Sequence, residues 1–111
     1  MTQPRLDAFQ VIGDPNRRKL LMLLSKNSLT INSLADNFDM SRPAVSKHIK
    51  ILYGAGFISI HDIGRERYCT LKKDGFDDLQ EWISHFDNFW TSKLKKLETL
   101  LNNKPSNKKL K

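Results

Sequence analysis

The chain has 111 residues, a formal net charge of +7 and 39% hydrophobic residues. That length fits one small domain and excludes a large multi-layer enzyme. No apolar run approaches the about 18–20 residues that a helix needs to cross a bilayer, and the first residues carry no apolar run typical of a signal peptide. A single cysteine, Cys69, excludes an internal disulfide and a multi-cysteine metal site, so a reducing cytoplasm is the expected compartment.

Two helices are predicted at the start of the chain. Apolar residues between Leu6 and Ile12 predict a short helix that ends at Gly13. Asp14 followed by Pro15 favours the start of a second helix, because the carboxylate can accept from the free N–H groups of the first turn and proline needs no donor there. The buried face of this second helix is predicted to consist of Leu20, Leu21, Leu23 and Leu24.

Residues 31–54 predict two further helices joined by a short turn. Thr30 and Ser41 are the candidate N-caps, and the apolar spacing from Ile31 to Phe38 predicts a third helix of about two turns. The fourth helix ends in a glycine-rich corner after Gly54. This order is helix-turn-helix geometry, in which the second helix is presented to the major groove of DNA.

The fourth helix has two predicted faces. Val45, Ile49 and Leu52 share the face that must be buried, and small or cationic residues occupy the other. Arg42, in the first turn, can bind guanine with two hydrogen bonds, whereas lysines suit backbone phosphates. The candidate DNA-binding residues of this helix are Ser41, Arg42, Pro43, Ala44, Ser46, Lys47, His48 and Lys50.

Two points about this helix stay open from the sequence. His48 lies on its shoulder and is either a phosphate contact or a hydrogen-bonded structural histidine. The pair of helices as a whole is either a DNA-reading unit or an ordinary helical hairpin with a solvated lysine face.

A basic hairpin, or wing, is predicted at about residues 57–71. Two short runs rich in β-branched and aromatic residues flank a turn at residues 62–65. Arg65 and Arg67 lie at or beside the tip, where an arginine can enter the narrow minor groove of A·T-rich DNA. The alternative is a cross-strand ion pair with Glu66 or Asp62. From Ser41 to Lys73 the chain holds seven basic residues against two acidic ones, a balance that favours a polyanionic partner.

A long helix at about residues 75–101 is predicted to close the domain, which spans residues 1–101. Its apolar stripe is wider than a domain of this size can cover, so packing against a second copy of the chain is expected. The predicted dimer-interface residues are Leu6, Phe9, Phe86, Phe89, Trp90, Leu94 and Leu97. Residues 102–111, with four lysines and no acid, predict a disordered basic tail.

Three strings together resemble a known family. They run from Met40 to Leu52, from Gly54 to Ile58 and from Gly64 to Tyr68, and they look like the ArsR/SmtB family of bacterial winged-helix repressors. The resemblance covers about residues 5–101, and the closing helix is similar to that of the metal-free, SdpR-like branch. It implies a mainly α fold with a small β-hairpin, a winged helix-turn-helix with a long C-terminal dimerisation helix. It also implies a homodimer that binds a palindromic operator in double-stranded DNA and represses nearby genes.

No metal or other cofactor is predicted. Metal sensors of this family carry a cysteine pair on the helix before the recognition helix, and residues 31–38 contain neither Cys nor His. Glu81 and His85 are four residues apart on the final helix, and a surface contact between them is favoured over a zinc site. Cys69 is expected to be a buried wing residue rather than a redox switch.

Two rival functions are kept beside DNA binding by a repressor. One is a winged-helix module that binds proteins, since fold alone does not decide function. The other is the same DNA-binding fold with a metal or small-molecule effector, for which the aromatic residues 82–90 would line a pocket. No catalytic motif is present, so an enzyme is not expected, and the sequence predicts no particular effector.

Overall fold

The computed structural model describes residues 6–103. The helices are α1 (Ala8–Ile12), α2 (Pro15–Leu24), α3 (Ile31–Ala35), α4 (Arg42–Gly54) and α5 (Lys73–Asn103). The strands are β1 (Leu29–Thr30), β2 (Ile58–Ile63) and β3 (Glu66–Leu71). The chain divides after Leu79 into two compact units. Within residues 6–103, no helix combines the length and apolar character needed to span a membrane.

The predicted starts of α2 and α3 are confirmed. The carboxylate of Asp14 accepts from the backbone N–H of Asn16 at 2.7 Å and of Arg17 at 3.2 Å. Burial acts to raise the pKa of Asp14, but these two backbone N–H groups, with the electrostatic effects of His48 and Arg17, outweigh it and hold the pKa below its ordinary value. The hydroxyl of Thr30 accepts from the N–H of Ser33, which starts α3 as expected.

The third helix is shorter than its apolar spacing predicted. It ends at Ala35, so Phe38 lies beyond it and packs against the core from the following turn. The side-chain amide of Asn37 donates to the carbonyl of Ser33 at 2.9 Å, and Lys19 donates to the carbonyl of Asn37 at 2.7 Å. The first of these bonds occupies a carbonyl of α3 and the second a carbonyl of the turn after it, and both favour the turn over further helix.

A three-stranded antiparallel sheet replaces the simple hairpin that the sequence predicted. β3 is central, with β2 on one side and β1 on the other. β1 is an addition, since the sequence predicted no strand at Leu29 and Thr30, yet Leu29 pairs with Cys69. The strands of the hairpin continue to Ile63 and from Glu66, so its turn is tighter than residues 62–65.

The core of the first unit fills the space between the helices and the sheet. α4 contributes Val45, Ile49 and Leu52, all buried as predicted. Phe57 is fully buried, and its ring meets that of Phe76 edge-on at 4.9 Å between centroids. The Cα of Gly75 lies so close to this ring that a Cβ there would come within 2.7 Å of it. Glycine at residue 75 therefore permits α5 to begin against the core.

The second unit consists of the greater part of α5, and its apolar side chains are exposed. They are Trp82, Ile83, Phe86, Phe89, Trp90, Leu94, Leu97, Leu100 and Leu101. The helix has 31 residues, beginning two residues earlier and ending two later than predicted, so Asn102 and Asn103 are helical rather than part of a disordered tail. The rest of the predicted tail, residues 104–111, lies outside the described residues.

Candidate nucleic-acid interface

α4 presents a polar and cationic face to solvent. Its side chains Arg42, Pro43, Lys47 and Lys50 are exposed, as is the capping residue Ser41. Ala44, Ser46 and His48 are half-buried and lie between this face and the buried one. The predicted division of α4 into a buried face and a solvent-facing one is therefore confirmed. All eight candidate residues are at least partly exposed to solvent.

The first turn of α4 is fixed by its own sequence. The Oγ of Ser41 accepts from the backbone N–H of Ala44 at 3.3 Å, and Pro43 suits a turn in which no backbone donor is required. Arg42 therefore extends from a rigid helix start, beside small side chains at positions 44 and 46. Such a turn can approach the edges of base pairs closely.

The wing carries its two arginines in different states. Gly64 has φ 63°, the left-handed conformation that a two-residue hairpin turn requires, and this turn exposes Arg65. Arg67 lies opposite Asp62 in the register and donates from Nε to its Oδ1 at 3.0 Å. Both side chains of this ion pair are about two-thirds exposed, so water screens it. Arg65 forms no ion pair or hydrogen bond with any residue between 6 and 103.

A polar cleft joins the two predicted parts of the interface. It has a volume of about 250 Å³ and places Arg42 of α4 together with Arg65 and Arg67 of the wing. Its full lining is Thr30, Ile31, Asn32, Arg42, Arg65, Glu66 and Arg67. Residues 30–32 were not among the sequence candidates, because the pairing of β1 with β3 that brings them beside the wing has no local signal.

Arg17 connects the N-terminal helices with α4. Its side chain is only 8% exposed, and its Nε donates to the carbonyl of Val11 at 2.7 Å. One terminal nitrogen donates to the carbonyl of Gln10 at 3.3 Å, and the other lies 3.2 Å from Nδ1 of His48. Arg18 donates to the carbonyl of Ile12 at 2.7 Å, so both arginines fasten the end of α1.

The residues considered for redox chemistry or metal binding are not among those that line the cleft. Cys69 is fully buried, and burial raises the pKa of its thiol against the opposing effect of the Arg67 charge. The ring of His85 meets that of Phe86 edge-on at 5.0 Å, and no hydrogen bond or ion pair joins it to Glu81 in the described chain. Between residues 6 and 103, no group of three or more His, Cys, Asp or Glu side chains could hold a metal ion.

A helix-turn-helix followed by a basic wing defines a class of protein, the winged helix-turn-helix proteins that bind DNA. Comparison with known proteins narrows this class. The family described as "Bacterial regulatory protein, arsR family" matches residues 14–59. The transcriptional repressor SdpR of Bacillus subtilis is 37% identical over 82 residues, which are 74% of this chain and 91% of that protein.

Two more similar proteins are also transcriptional regulators. An HTH-type transcriptional regulator of Mycobacterium tuberculosis is 33% identical over 87 residues, 78% of each chain. The crystal structure of an ArsR family transcriptional regulator superposes with a TM-score of 0.69 at 38% identity, covering 77% of this chain and 88% of that one. The chain belongs to the ArsR family and is a DNA-binding transcriptional regulator. The family resemblance seen in the sequence is thereby confirmed.

Proposed function

We propose that the protein is a homodimeric repressor that binds an inverted-repeat operator and occludes the promoter it overlaps. The observation that carries this proposal is the cleft shared by Arg42 of α4 and by Arg65 and Arg67 of the wing. It allows one subunit to contact the major groove and the neighbouring minor groove together. The relative named as a transcriptional repressor supports repression. The protein acts in the cytoplasm by binding rather than by catalysis.

The residues of the interface have separate roles. Arg42 reads a base edge, because it extends from the first turn and its guanidinium matches the two acceptors of guanine. Lys47 and Lys50, exposed on the same helix, contact backbone phosphates and contribute affinity without sequence preference. Arg65 enters the minor groove from the wing tip, and Arg67 joins it when DNA competes with the screened carboxylate of Asp62.

The second copy of the chain covers the apolar stripe of α5. Phe86, Phe89, Trp90, Leu94 and Leu97 are each more than 40% exposed, and a stripe of this size marks an interaction surface. A helix that pairs with its own copy about a two-fold axis buries the same residues twice and places two recognition helices on the two halves of a palindrome. Leu6 and Phe9, also exposed, are proposed as further contacts in the dimer.

Selection of bound duplexes from a random DNA pool tests this function. The purified protein is expected to enrich an inverted repeat whose half-sites are about 34 Å apart, one turn of DNA. Binding that is salt-sensitive but enriches no sequence would contradict a specific repressor. If no duplex binds at any salt concentration, DNA recognition by this interface is wrong. Repression itself is measured by transcription in vitro from a promoter that carries the selected repeat.

A further inference from the structure

The contact between Arg17 and His48 determines which ring nitrogen of the histidine carries a proton. A guanidinium group stays protonated in proteins and has donors only, so the nitrogen it contacts must accept. The contacted atom is Nδ1, at 3.2 Å. The single proton of the neutral ring is then on Nε2, and the ring's outward nitrogen is a hydrogen-bond donor.

The donor Nε2 is open to solvent. It has no hydrogen-bond partner within residues 6–103, and no buried side-chain nitrogen or oxygen there lacks a partner. His48 is itself only half-buried. Its ring is therefore fixed on one side by a buried arginine and free on the other.

The position of His48 on α4 indicates what this donor meets. It directly follows the exposed Lys47 and lies on the shoulder of the helix, away from the first turn that approaches the bases. Backbone phosphates flank the groove on both sides of a recognition helix. The carboxylate of Asp14, whose Oδ1 accepts from two backbone N–H groups, forms no hydrogen bond with Nε2 in the part of the chain that the structure describes.

We infer that Arg17 holds His48 in the tautomer protonated on Nε2, and that this N–H donates a hydrogen bond to a backbone phosphate of bound DNA. Arg17 is thus a positioning residue that acts on DNA through His48. It also ties this contact to the end of α1, because the same guanidinium binds the carbonyls of Val11 and Gln10. The inference rests on the proposed function and adds one phosphate contact to it.

The tautomer is measured first, on the free protein. A long-range proton–nitrogen correlation spectrum of the labelled protein at about pH 8, where an ordinary imidazole is neutral, distinguishes the two ring nitrogens. A proton on Nε2 of His48 is expected. A proton on Nδ1 would overturn the inference, because Arg17 could not then donate to that atom.

Two substitutions at His48 then separate its two contacts. In His48→Asn the amide oxygen takes the place of Nδ1 and accepts from Arg17, but nothing replaces Nε2. In His48→Gln the longer amide carries an N–H to the place of Nε2, but the acceptor for Arg17 is lost. We expect His48→Asn to melt near the wild-type temperature and to bind DNA about tenfold more weakly, as for loss of one hydrogen bond to a charged group. We expect His48→Gln to melt at a lower temperature and to bind DNA more tightly than His48→Asn.

The kind of DNA contact is decided on two duplexes. His48→Asn is expected to lose the same factor on the selected operator and on a random duplex, with the salt dependence of binding unchanged because the donor is neutral. Unaltered binding, or a loss confined to the operator, would overturn the phosphate contact. If the wild-type protein bound no duplex, the proposed function and this contact would both fall, while the spectrum of the free protein would still decide the role of Arg17.

Discussion

The two units of the chain use apolar side chains in opposite ways. Between residues 6 and 79, side chains such as Phe57 and Leu52 are withdrawn completely from water. Between residues 80 and 103 no side chain is buried, although Trp90 and Leu94 are as apolar as any in the core. The same driving force therefore folds the first unit, and in the second it is left available for association.

The largest effect is expected where burial is complete. Phe57→Ala should lower the free energy of unfolding by about 3–5 kcal/mol, through lost transfer energy and the cavity left beside Phe76. Urea unfolding followed by circular dichroism measures it. The matched control is Phe89→Ala on α5, where the ring is 47% exposed. If Phe89→Ala in dilute protein lost as much free energy of unfolding as Phe57→Ala, the contrast between the first unit, with its buried core, and the exposed second unit would be wrong.

Truncation of a large aromatic side chain on α5 should cause dissociation of the dimer instead of unfolding. Trp90→Ala is expected to weaken dimerisation by about 2 kcal/mol or more, as for a central aromatic residue of an interface. DNA binding should weaken with it, since two half-sites are then read separately. Sedimentation equilibrium at micromolar concentration measures the association.

Met22→Ala is the control for the Trp90 variant. Met22 is 67% exposed on α2, outside the predicted interface, and its truncation should leave both association and DNA binding unchanged. If Trp90→Ala remained a dimer while binding DNA normally, the apolar stripe of α5 would not be the dimer interface.

The division into faces was predictable from the sequence because its signals are local. The capping roles of Asp14, Thr30 and Ser41 depend on N–H groups within three residues of each side chain. The buried face of α4 follows from the helical repeat alone. For the same reason the eight candidate residues of the interface were found as one set on and beside a single helix.

Contacts between distant segments were not predictable in this way. The pairing of Leu29 with Cys69 joins residues far apart in the chain, and a two-residue strand has no periodicity of its own. The cleft beside Arg42 depends on that pairing. The bond from Arg17 to His48 likewise joins residues 31 positions apart, so the sequence left the role of His48 open.

The polar and cationic face of α4 differs from both units: it is exposed like the side chains of α5, but it carries charge instead of apolar surface. Arg42→Ala should reduce the preference for the operator over random DNA by about 1–3 kcal/mol, because a base contact is lost. Lys47→Ala is the matched control and should weaken binding to both duplexes equally, with a flatter salt dependence. Equal losses on both duplexes for Arg42→Ala would contradict its role as a base reader. Fluorescence anisotropy titrations over a range of salt concentrations measure both.

A smaller effect on the free energy of unfolding is expected at the N-cap of α2, in the first unit. Asp14→Ala should cost about 0.5–2 kcal/mol at neutral pH, because two N–H groups lose their acceptor. The pKa of Asp14 is lowered in the folded protein, so its contribution is complete above the ordinary value of 3.8 and disappears as the pH falls through the lower, folded-state value. Asp14→Asn keeps a capping oxygen without a titrating group and should remove this pH dependence. Thermal unfolding measured between neutral and acidic pH checks both variants. If both showed the melting temperatures and pH dependence of the wild type, Asp14 would not stabilise the protein as the cap of α2.

The smallest effect tests whether the ion pair of the wing belongs to the fold or to the DNA interface. Asp62→Asn should change the free energy of unfolding by less than about 1 kcal/mol, because both partners are largely exposed. Affinity for any duplex should rise, with a steeper salt dependence, since Arg67 no longer has to leave a carboxylate to meet the DNA. Glu98→Gln on α5 makes the same change in net charge far along the sequence and should alter binding less. Should Asp62→Asn instead bind DNA more weakly, the carboxylate would be orienting Arg67 for the groove, and the pair would be part of the interface rather than its competitor.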